Sequence, residues 1–167
     1  MLTIFTAPRA FDNQFGLIQR NAILSWLRLH PQCEIILFGE EEGIAEMAGE
    51  FGILHIPDIK KNESGTPLVD DLFERAKKTA KNNILAYVNA DIILIGDFME
   101  AVEKLKGGNF LMIGRRWDLD LKEPINFQDR DWEGELKNKI TKEGKLHGQA
   151  GSDYFVFQKN LWKILIK

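Results

Sequence analysis

The chain has 167 residues, of which 44% are hydrophobic and 28% charged, so it suits a folded domain with a substantial core and not a disordered chain. Its formal net charge of −3 argues against a surface for nucleic acid or an anionic membrane, since both require a basic patch. The single cysteine excludes an intrachain disulfide and a four-cysteine metal site.

Apolar runs and amphipathic stretches alternate along the first part of the chain. Strands are predicted where short apolar runs occur, at 2–6, 34–38, 53–56, 84–88 and 110–113. Helices are predicted where apolar residues recur with helical spacing, at 16–30, 41–51, 66–80 and 97–106. The third helix is expected to begin with Thr66 as N-cap and Pro67 in its first turn. This alternation predicts an α/β fold with a mostly parallel central sheet and helices on both faces.

The alternation stops at Arg115. Residues 115–135 are charged and aromatic without a clean period, so no regular element is predicted there. The later elements are predicted to be a helix at 133–142, a glycine-rich loop at 144–153, a strand at 154–157 and a helix or strand fragment at 160–167. Trp26 and Trp162 fall in apolar patterns and are expected in the core. No linker or repeat is visible, so we expect a single domain over residues 1–167.

No targeting sequence is recognisable. The first residues lack a basic segment followed by a long apolar one, and no run reaches about 18 apolar residues. We therefore expect a cytoplasmic protein without a transmembrane segment. Residues 161–167 are still apolar, which we expect of a C-terminally shortened chain or of a tail that packs on another surface.

Several motifs that identify α/β enzymes are absent. There is no Gly-x-Gly-x-x-Gly after the first strand, no Walker A loop, no Gly-x-Ser-x-Gly and no His-Glu-x-x-His. An α/β pattern by itself supports many functions. Because open α/β sheets bind ligands beyond the carboxyl ends of their strands, polar residues at those ends become the candidates.

One carboxylate, Asp91, stands in the otherwise mostly apolar segment Tyr87-Val88-Asn89-Ala90-Asp91-Ile92-Ile93-Leu94. We interpret the run around it as a strand buried on both faces, where an unpaired carboxylate costs several kcal/mol. Alternation would place Asn89 and Asp91 on the same side of that strand. Two hypotheses explain Asp91: it coordinates a hard cation that binds a diphosphate, or it caps a turn at the strand end.

This segment resembles the Asp-x-Asp region of GT-A-fold glycosyltransferases, which use nucleotide-diphospho-sugar donors, with Asn89 in place of the first acid. The segment Thr3-Ile4-Phe5-Thr6-Ala7-Pro8-Arg9 is similar to the family's strand leading into the nucleobase pocket. The resemblance covers most of the chain through short motifs. It implies a Rossmann-like GT-A fold, a nucleotide-sugar donor with UDP expected, a glycan or small-molecule acceptor, and Mn²⁺ or Mg²⁺ as cofactor.

The resemblance also implies roles for individual residues. Asp91 would hold the metal, and Asn89 would contact the ribose or a metal-bound water. The residues expected to contact the nucleotide or its sugar, in the loop after the first strand and in the loop before the third helix, are Thr6, Pro8, Arg9, Asn62, Gly65 and Thr66.

Four further residues are candidates near the end of the chain. Asp153 stands where the family places an acid at the sugar or the acceptor, so we expect it to be the catalytic residue; it could equally cap a turn. His147 is expected to be a second metal ligand, as in some members of the family, or an exposed loop histidine. Arg115 and Arg116 follow a predicted strand, and either could bind phosphate or an acidic acceptor, or pair with a nearby aspartate.

The best-fitting function is metal-assisted transfer of a sugar from a nucleotide-sugar donor, and two alternatives stay open. A nucleotidyltransferase would usually have a glycine-rich first loop, whereas Ala7-Pro8-Arg9-Ala10 has no glycine. A non-catalytic module that binds sugar nucleotides is favoured somewhat by the short length. Trp117 and Trp132, in the irregular stretch, could stack on an acceptor sugar or pack in the core or a lid.

Overall fold

The computed structural model describes residues 1–29, 33–105, 108–148 and 151–161. The strands are β1 (Leu2–Thr6), β2 (Glu34–Phe38), β3 (Leu54–Ile56), β4 (Ile84–Val88), β5 (Leu111–Gly114), β6 (Trp117–Asp118), β7 (Lys145–Leu146) and β8 (Tyr154–Gln158). The helices are α1 (Asn13–Leu29), α2 (Ile44–Phe51), α3 (Val69–Thr79), α4 (Gly96–Lys104) and α5 (Trp132–Glu143). Six strands form one sheet, and β6 and β7 form a separate two-stranded ribbon, the β6–β7 ribbon.

The six-stranded sheet has the strand order β3-β2-β1-β4-β8-β5. Strands β1 to β4 are parallel, whereas β8 runs antiparallel to both of its neighbours, β4 and β5. The prediction of an α/β fold with a mostly parallel sheet is therefore confirmed. The chain runs outward from β1 to β2 and β3, and then returns to the other side of β1 with β4. The carboxyl ends of β1 and β4 thus flank the switch point at which open α/β sheets bind ligands.

Successive residues of the central strands point to opposite faces of the sheet, and each face has its own apolar cluster. Leu2 and Ile4 belong to the cluster packed against α1, α2 and α4, whereas Phe5 belongs to the cluster under α3. In the second cluster, the ring of Phe73 from α3 has its centroid 5.1 Å from that of Phe5 and 5.5 Å from that of Phe157. Helices thus cover both faces of the sheet, and burial of each such ring contributes about 1.5–3 kcal/mol.

Helix α1 buries polar side chains as well as apolar ones. Gln19 is buried, its Oε1 accepts a hydrogen bond from the Arg9 N–H at 2.8 Å, and its Nε2 donates to the Arg9 carbonyl at 3.0 Å. Asn21 is also buried, with its Nδ2 donating to the Glu123 carbonyl at 3.2 Å and its Oδ1 accepting from the Ile125 N–H at 3.0 Å. These side chains fasten the loop after β1 and the irregular segment after β6 to α1.

Two more buried residues of α1 hold the segment that follows β4. The indole Nε1 of Trp26, which is 0% exposed, donates to the Ile92 carbonyl at 2.8 Å. The hydroxyl of Ser25 accepts from the Leu94 N–H at 3.1 Å. The prediction that Trp26 lies in the core is confirmed, and its one polar atom also positions a loop.

The start of α3 differs from the sequence prediction. The helix begins at Val69 and not at Thr66, because Thr66 is part of the preceding loop. The Oδ1 of Asn62 accepts hydrogen bonds from the N–H groups of Ser64 at 3.0 Å and Thr66 at 2.9 Å. A side chain that folds the loop on itself in this way competes with an earlier helix start.

The segment around Asp91 also differs. Strand β4 ends at Val88, and a turn follows in which the Ile92 N–H donates to the Asn89 carbonyl at 3.0 Å. Asp91 is exposed in this turn, so the prediction of a strand buried on both faces at Asp91 is wrong. The turn leaves the carboxylate in water and removes the desolvation cost that a buried strand would impose.

Strand β6 in the irregular stretch pairs with β7 in the predicted glycine-rich loop, a regular pairing that the composition of neither segment predicted. The predicted element at 160–167, together with Trp162, lies outside the described residues from position 162 onward. None of the helices in the described ranges is both long and apolar enough to cross a membrane.

We expect Gln19→Met to lower the free energy of unfolding by about 1–3 kcal/mol, because methionine fills similar space but leaves the Arg9 N–H and carbonyl without partners. Urea denaturation would measure the change. Gln14→Met, at an exposed position of the same helix, is the matched control and should change stability by less than about 0.5 kcal/mol. Equal urea midpoints for the two variants would contradict the structural role of Gln19.

Candidate functional site

The carboxyl end of β4 presents an exposed carboxylate on a well-held turn. Asp91 follows Asn89 and Ala90 in this turn, and its neighbour Ile92 is anchored to α1 by Trp26. Asn89 is half-buried, and its N–H donates to the Asp153 carbonyl at 2.9 Å. The position of Asp91 is therefore fixed from both sides, by α1 and by the residue that precedes β8.

Asp153 is buried next to this turn, although it lies 62 positions later in the sequence than Asp91. Its side chain is only 7% exposed. Its Oδ1 accepts from the Nη1 of Arg116 at 2.5 Å and from the Nδ2 of Asn89 at 3.2 Å. Its Oδ2 is buried and has no hydrogen-bond partner within the described ranges. A carboxylate can accept about four hydrogen bonds, so Asp153 retains free acceptor capacity.

A chain of charged side chains continues from Asp153 along the β6–β7 ribbon. The Nε of Arg116 donates to the Oδ1 of Asp118 at 2.7 Å, and the Oδ2 of Asp118 lies 2.8 Å from the Nδ1 of His147. The hydrogen bonds from His147 and Arg116 lower the pKa of Asp118. The hydrogen bond to Asp118, followed by that to Asp153, raises the pKa of Arg116. Arg116 therefore bridges the carboxyl groups of Asp118 and Asp153.

Gly151 makes room for the ring of His147. A Cβ atom built at Gly151 would lie 2.2 Å from the Cδ2 of His147, so no other residue type fits there without movement. The Nδ1 of His147 faces Asp118, and its role as a metal ligand stays a prediction.

Tyr87 reports the electrostatics of the site. Its pKa is raised first by burial and then by the negative charges of Asp91 and Asp153. Both acids are thus close enough to act on the same phenol, at the carboxyl end of β4. Asp118 and Asp153 share the positive charge of Arg116, whereas Asp91 is exposed, and an exposed carboxylate can serve as a ligand for a divalent cation.

A metal would not be held here by protein side chains alone. Within the ranges that the structure describes, no group of three or more His, Cys, Asp or Glu side chains could hold a metal ion. Mg²⁺ commonly binds through one or two carboxylates together with substrate phosphates and water. The exposed Asp91 beside Asn89 fits a cation that arrives with a diphosphate.

The residues predicted at the end of β1 lie on the other side of the switch point. Thr6 is fully buried, and its Oγ1 has no hydrogen-bond partner in the described part of the chain. Pro8 is buried, whereas Arg9 is exposed with its guanidinium 5.3 Å from the ring centroid of Phe15. Their contact with a nucleotide stays a prediction.

The remaining predicted residues lie in exposed loops. Asn62, Gly65 and Thr66 form the loop before α3, in which Gly65 has a φ of 78°, a left-handed conformation that favours glycine. Arg115 is exposed, and its Nη1 lies 3.5 Å from the His147 carbonyl oxygen. Neither set has contacts that assign it to a ligand, and both assignments stay predictions.

The sequence offered Arg116 as a residue for phosphate or an acidic acceptor, or as the partner of a nearby aspartate, and the structure shows it paired with Asp118 and Asp153. Asp118 was not predicted as a site residue. Arg116 directly precedes β6, and its spacing of two residues from Asp118 puts both side chains on one side of the chain, with Trp117 on the other. Trp117 is 52% exposed, so it is not a core residue. Trp132 instead packs against Phe127, with ring centroids 5.0 Å apart.

A groove of about 330 Å³ lies elsewhere, between α1 and α2. It is lined by Phe11, Asn13, Gly16, Leu17, Arg20, Gly43, Glu46, Met47 and Glu50. It contains none of the predicted site residues, and Arg20 pairs with Glu50 across it. The switch point is the better candidate, because two of the four unpartnered buried side-chain oxygens in the described residues, those of Thr6 and Asp153, lie near it.

No protein-family model and no curated protein matches the chain. Solved structures do match it. The galactosyltransferase LgtC, in complex with donor and acceptor sugar analogs, matches with a TM-score of 0.50 and 15% identity over 98% of this chain and 60% of LgtC. The glycosyltransferase GlyE of Streptococcus pneumoniae TIGR4 matches with a TM-score of 0.52 and 12% identity over 98% of this chain and 35% of GlyE.

A nucleotidyl-transfer enzyme is similar in structure as well. The 4-diphosphocytidyl-2C-methyl-D-erythritol synthase of Anaerococcus prevotii DSM 20548 matches with a TM-score of 0.56 and 10% identity over 100% of this chain and 76% of that one. The chain spans less than two thirds of the length of both LgtC and GlyE. At these identities the likeness concerns the fold, and the fold is the GT-A-like, Rossmann-like fold of nucleotidyl-sugar transferases.

Proposed function

We propose that the chain binds a nucleoside-diphosphate sugar, with UDP as the expected nucleotide, and transfers the sugar to a glycan or small-molecule acceptor with the help of Mn²⁺ or Mg²⁺. The observation that carries this proposal is the exposed carboxylate of Asp91, held on a fixed turn beside the buried Asp153. The Asp91 carboxylate and a diphosphate are both negatively charged and repel each other. Asp91 can therefore face the diphosphate of a ligand only with a cation between them.

Each residue of the site then has a chemical task. Asp91 would hold the cation, which stabilises the negative charge on the departing diphosphate. Asn89 would donate to the ribose or to a metal-bound water, while Thr6, Pro8 and Arg9 line the nucleoside side. Asp153 would accept a hydrogen bond from a sugar hydroxyl or take the proton of the acceptor hydroxyl.

Two observations support donor binding over nucleotidyl transfer, the second candidate function. Nucleotidyltransferases hold a triphosphate with free backbone N–H groups of the first loop. In this chain the Arg9 N–H already donates to Gln19, and the loop contains no glycine. The nucleotidyl-transfer candidate is favoured by the match to the Anaerococcus synthase, 76% of which the chain covers.

We expect Mn²⁺ to raise the affinity for UDP by about tenfold or more, which corresponds to about 1.4 kcal/mol. Asp91→Asn should bind UDP equally with Mn²⁺ and with EDTA, because the cation loses its carboxylate. Since Asp91 is exposed, this variant should keep its stability within about 0.5 kcal/mol. Titration calorimetry of UDP with each additive would measure the affinities, and urea denaturation the stability.

Asp97→Asn is the matched control, because Asp97 is an exposed acid six positions further along the chain and should leave the metal effect intact. Identical UDP affinities of the wild type with Mn²⁺ and with EDTA would remove the metal from the mechanism. Pyrophosphate release from CTP with a sugar phosphate would instead establish nucleotidyl transfer. UDP-sugar binding without turnover on any acceptor or water would establish a binding module.

We expect Asp153→Asn and Asp153→Ala to lower turnover of UDP-sugars by about 10² to 10⁴, as is typical when a general base is removed. UDP affinity should stay near that of the wild type, because Asp153 lies on the β8 side of Asp91, away from the end of β1. Asparagine keeps the shape of the buried side chain, so the Asp153→Asn variant carries the test if the Asp153→Ala variant does not fold. Equal loss of UDP affinity would place Asp153 at the nucleotide, and unchanged turnover would make it a turn residue.

A further inference from the structure

We propose that Arg116 is a positioning residue that sets the orientation of the Asp153 carboxylate toward a hydroxyl group of the bound sugar. This inference rests on the proposed function, because the sugar nucleotide supplies that hydroxyl. It adds a residue and a supporting element, the β6–β7 ribbon, to a site that otherwise consists of strand ends. The argument begins with the geometry of the guanidinium.

Arg116 contacts two carboxylates through two different nitrogen atoms. Its Nη1 donates to Asp153 at 2.5 Å and its Nε donates to Asp118 at 2.7 Å. A planar guanidinium with fixed donor directions can hold two acceptors at a set angle, whereas the single nitrogen of lysine cannot. Because Asp118 is in turn held by His147, the direction of the Arg116 fork is fixed by the ribbon and not by Asp153 alone.

The carboxylate of Asp153 depends on this fork. Its terminal torsion is intrinsically broad, so without a fixed partner the plane of the carboxylate turns about the Cβ–Cγ bond at little cost. Both hydrogen bonds that it receives, from Arg116 and from Asn89, go to the same oxygen, Oδ1. Of the two, only the contact with Arg116 is a short, charge-assisted one. Arg116 therefore sets the plane of the carboxylate and with it the direction in which the second oxygen accepts.

The free acceptor capacity of Asp153 indicates what its second oxygen binds. Oδ2 has no partner in the described part of the chain, and a buried polar atom without a partner calls for a specific explanation, such as a ligand. An ionised carboxylate only accepts hydrogen bonds, so its ligand must be a donor such as a hydroxyl and not a phosphate. Within a sugar nucleotide, the polyhydroxylated sugar is the part that supplies such donors, and it is the ligand class we assign to Asp153.

The test compares UDP with UDP-glucose, UDP-galactose and UDP-N-acetylglucosamine on the wild type and on Arg116→Met, Arg116→Lys and Asp118→Asn. We expect Arg116→Met to lower kcat/KM for the best UDP-sugar by about tenfold or more, as for a lost hydrogen bond to a charged group, with most of the loss in kcat. UDP affinity by calorimetry should stay within about twofold. Arg116→Lys and Asp118→Asn should give smaller losses of the same kind.

Arg130→Met is the matched control, since Arg130 is exposed in the irregular segment and should leave both measurements unchanged. A urea double-mutant cycle of Arg116→Met and Asp153→Asn shows whether the two side chains are coupled, without any ligand. Arg116→Lys and Asp118→Asn carry the test where Arg116→Met fails to fold.

A loss of stability with unchanged kcat/KM would overturn the proposal and make the ion pair purely structural. Equal losses for UDP and for UDP-sugars would also overturn it, because they would place Arg116 at the nucleotide or in the frame. Absence of UDP and UDP-sugar binding in the wild type would be a failure of the proposed function itself. It would be visible without any variant, and the inference would fall with it.

Discussion

The geometry of the candidate site depends on hydrogen bonds that α1 makes from inside the core. Gln19, Asn21, Ser25 and Trp26 each lie on the buried side of this helix and each bind the backbone of a loop. A buried polar group that loses its partner costs about 1–3 kcal/mol, so these loops cannot move away from α1 cheaply. One helix thereby fixes the loop after β1, the segment after β4 and the stretch that follows the β6–β7 ribbon. The candidate ligand-binding edge is consequently pre-organised, which is how a site keeps its affinity without paying to order its loops on binding.

The antiparallel strand β8 explains why Asp153 joins this edge. In a parallel strand, the residue preceding the strand lies at the amino edge of the sheet. Because β8 runs the other way, the residue before it meets the carboxyl end of β4, and the Asn89 N–H donates to the Asp153 carbonyl there. Parallel strands contribute to this edge only the residues that follow them. The antiparallel strand β8 instead contributes the residue that precedes it, and that residue is the buried acid Asp153. The β6–β7 ribbon then adds Arg116, which balances the charge of that acid.

The sequence predicted the elements whose pattern is local and missed those that depend on distant partners. The β-α alternation and Trp26 in the core follow from periodicity, and the GT-A-like fold follows from the resemblance around Asp91. The exposure of Asp91 was missed because the apolar residues after it pack against α1 without forming a strand. The start of α3 was missed because Asn62 binds Thr66 within the loop. Pairing of Arg116 with a nearby aspartate was one of the alternatives that the sequence offered. The β6–β7 ribbon that brings His147 to Asp118 could not be predicted, because strands of two residues are too short to show a period.

The insertion of β8 between β4 and β5 also constrains the order in which the molecule can assemble. A ribosome delivers β5 before β8, yet within the described ranges β5 pairs in the sheet with β8 alone. Until residues 154–158 have been synthesised, the edge of β4 that pairs with β8 has no strand beside it, and β5 lacks the strand that joins it to the sheet. The parallel half of the sheet, β1 to β4, can form earlier from contacts among residues 2–88. Asp153 can therefore reach Asn89 and Arg116 only after residues 2–88, which hold most of the described buried core, have been synthesised.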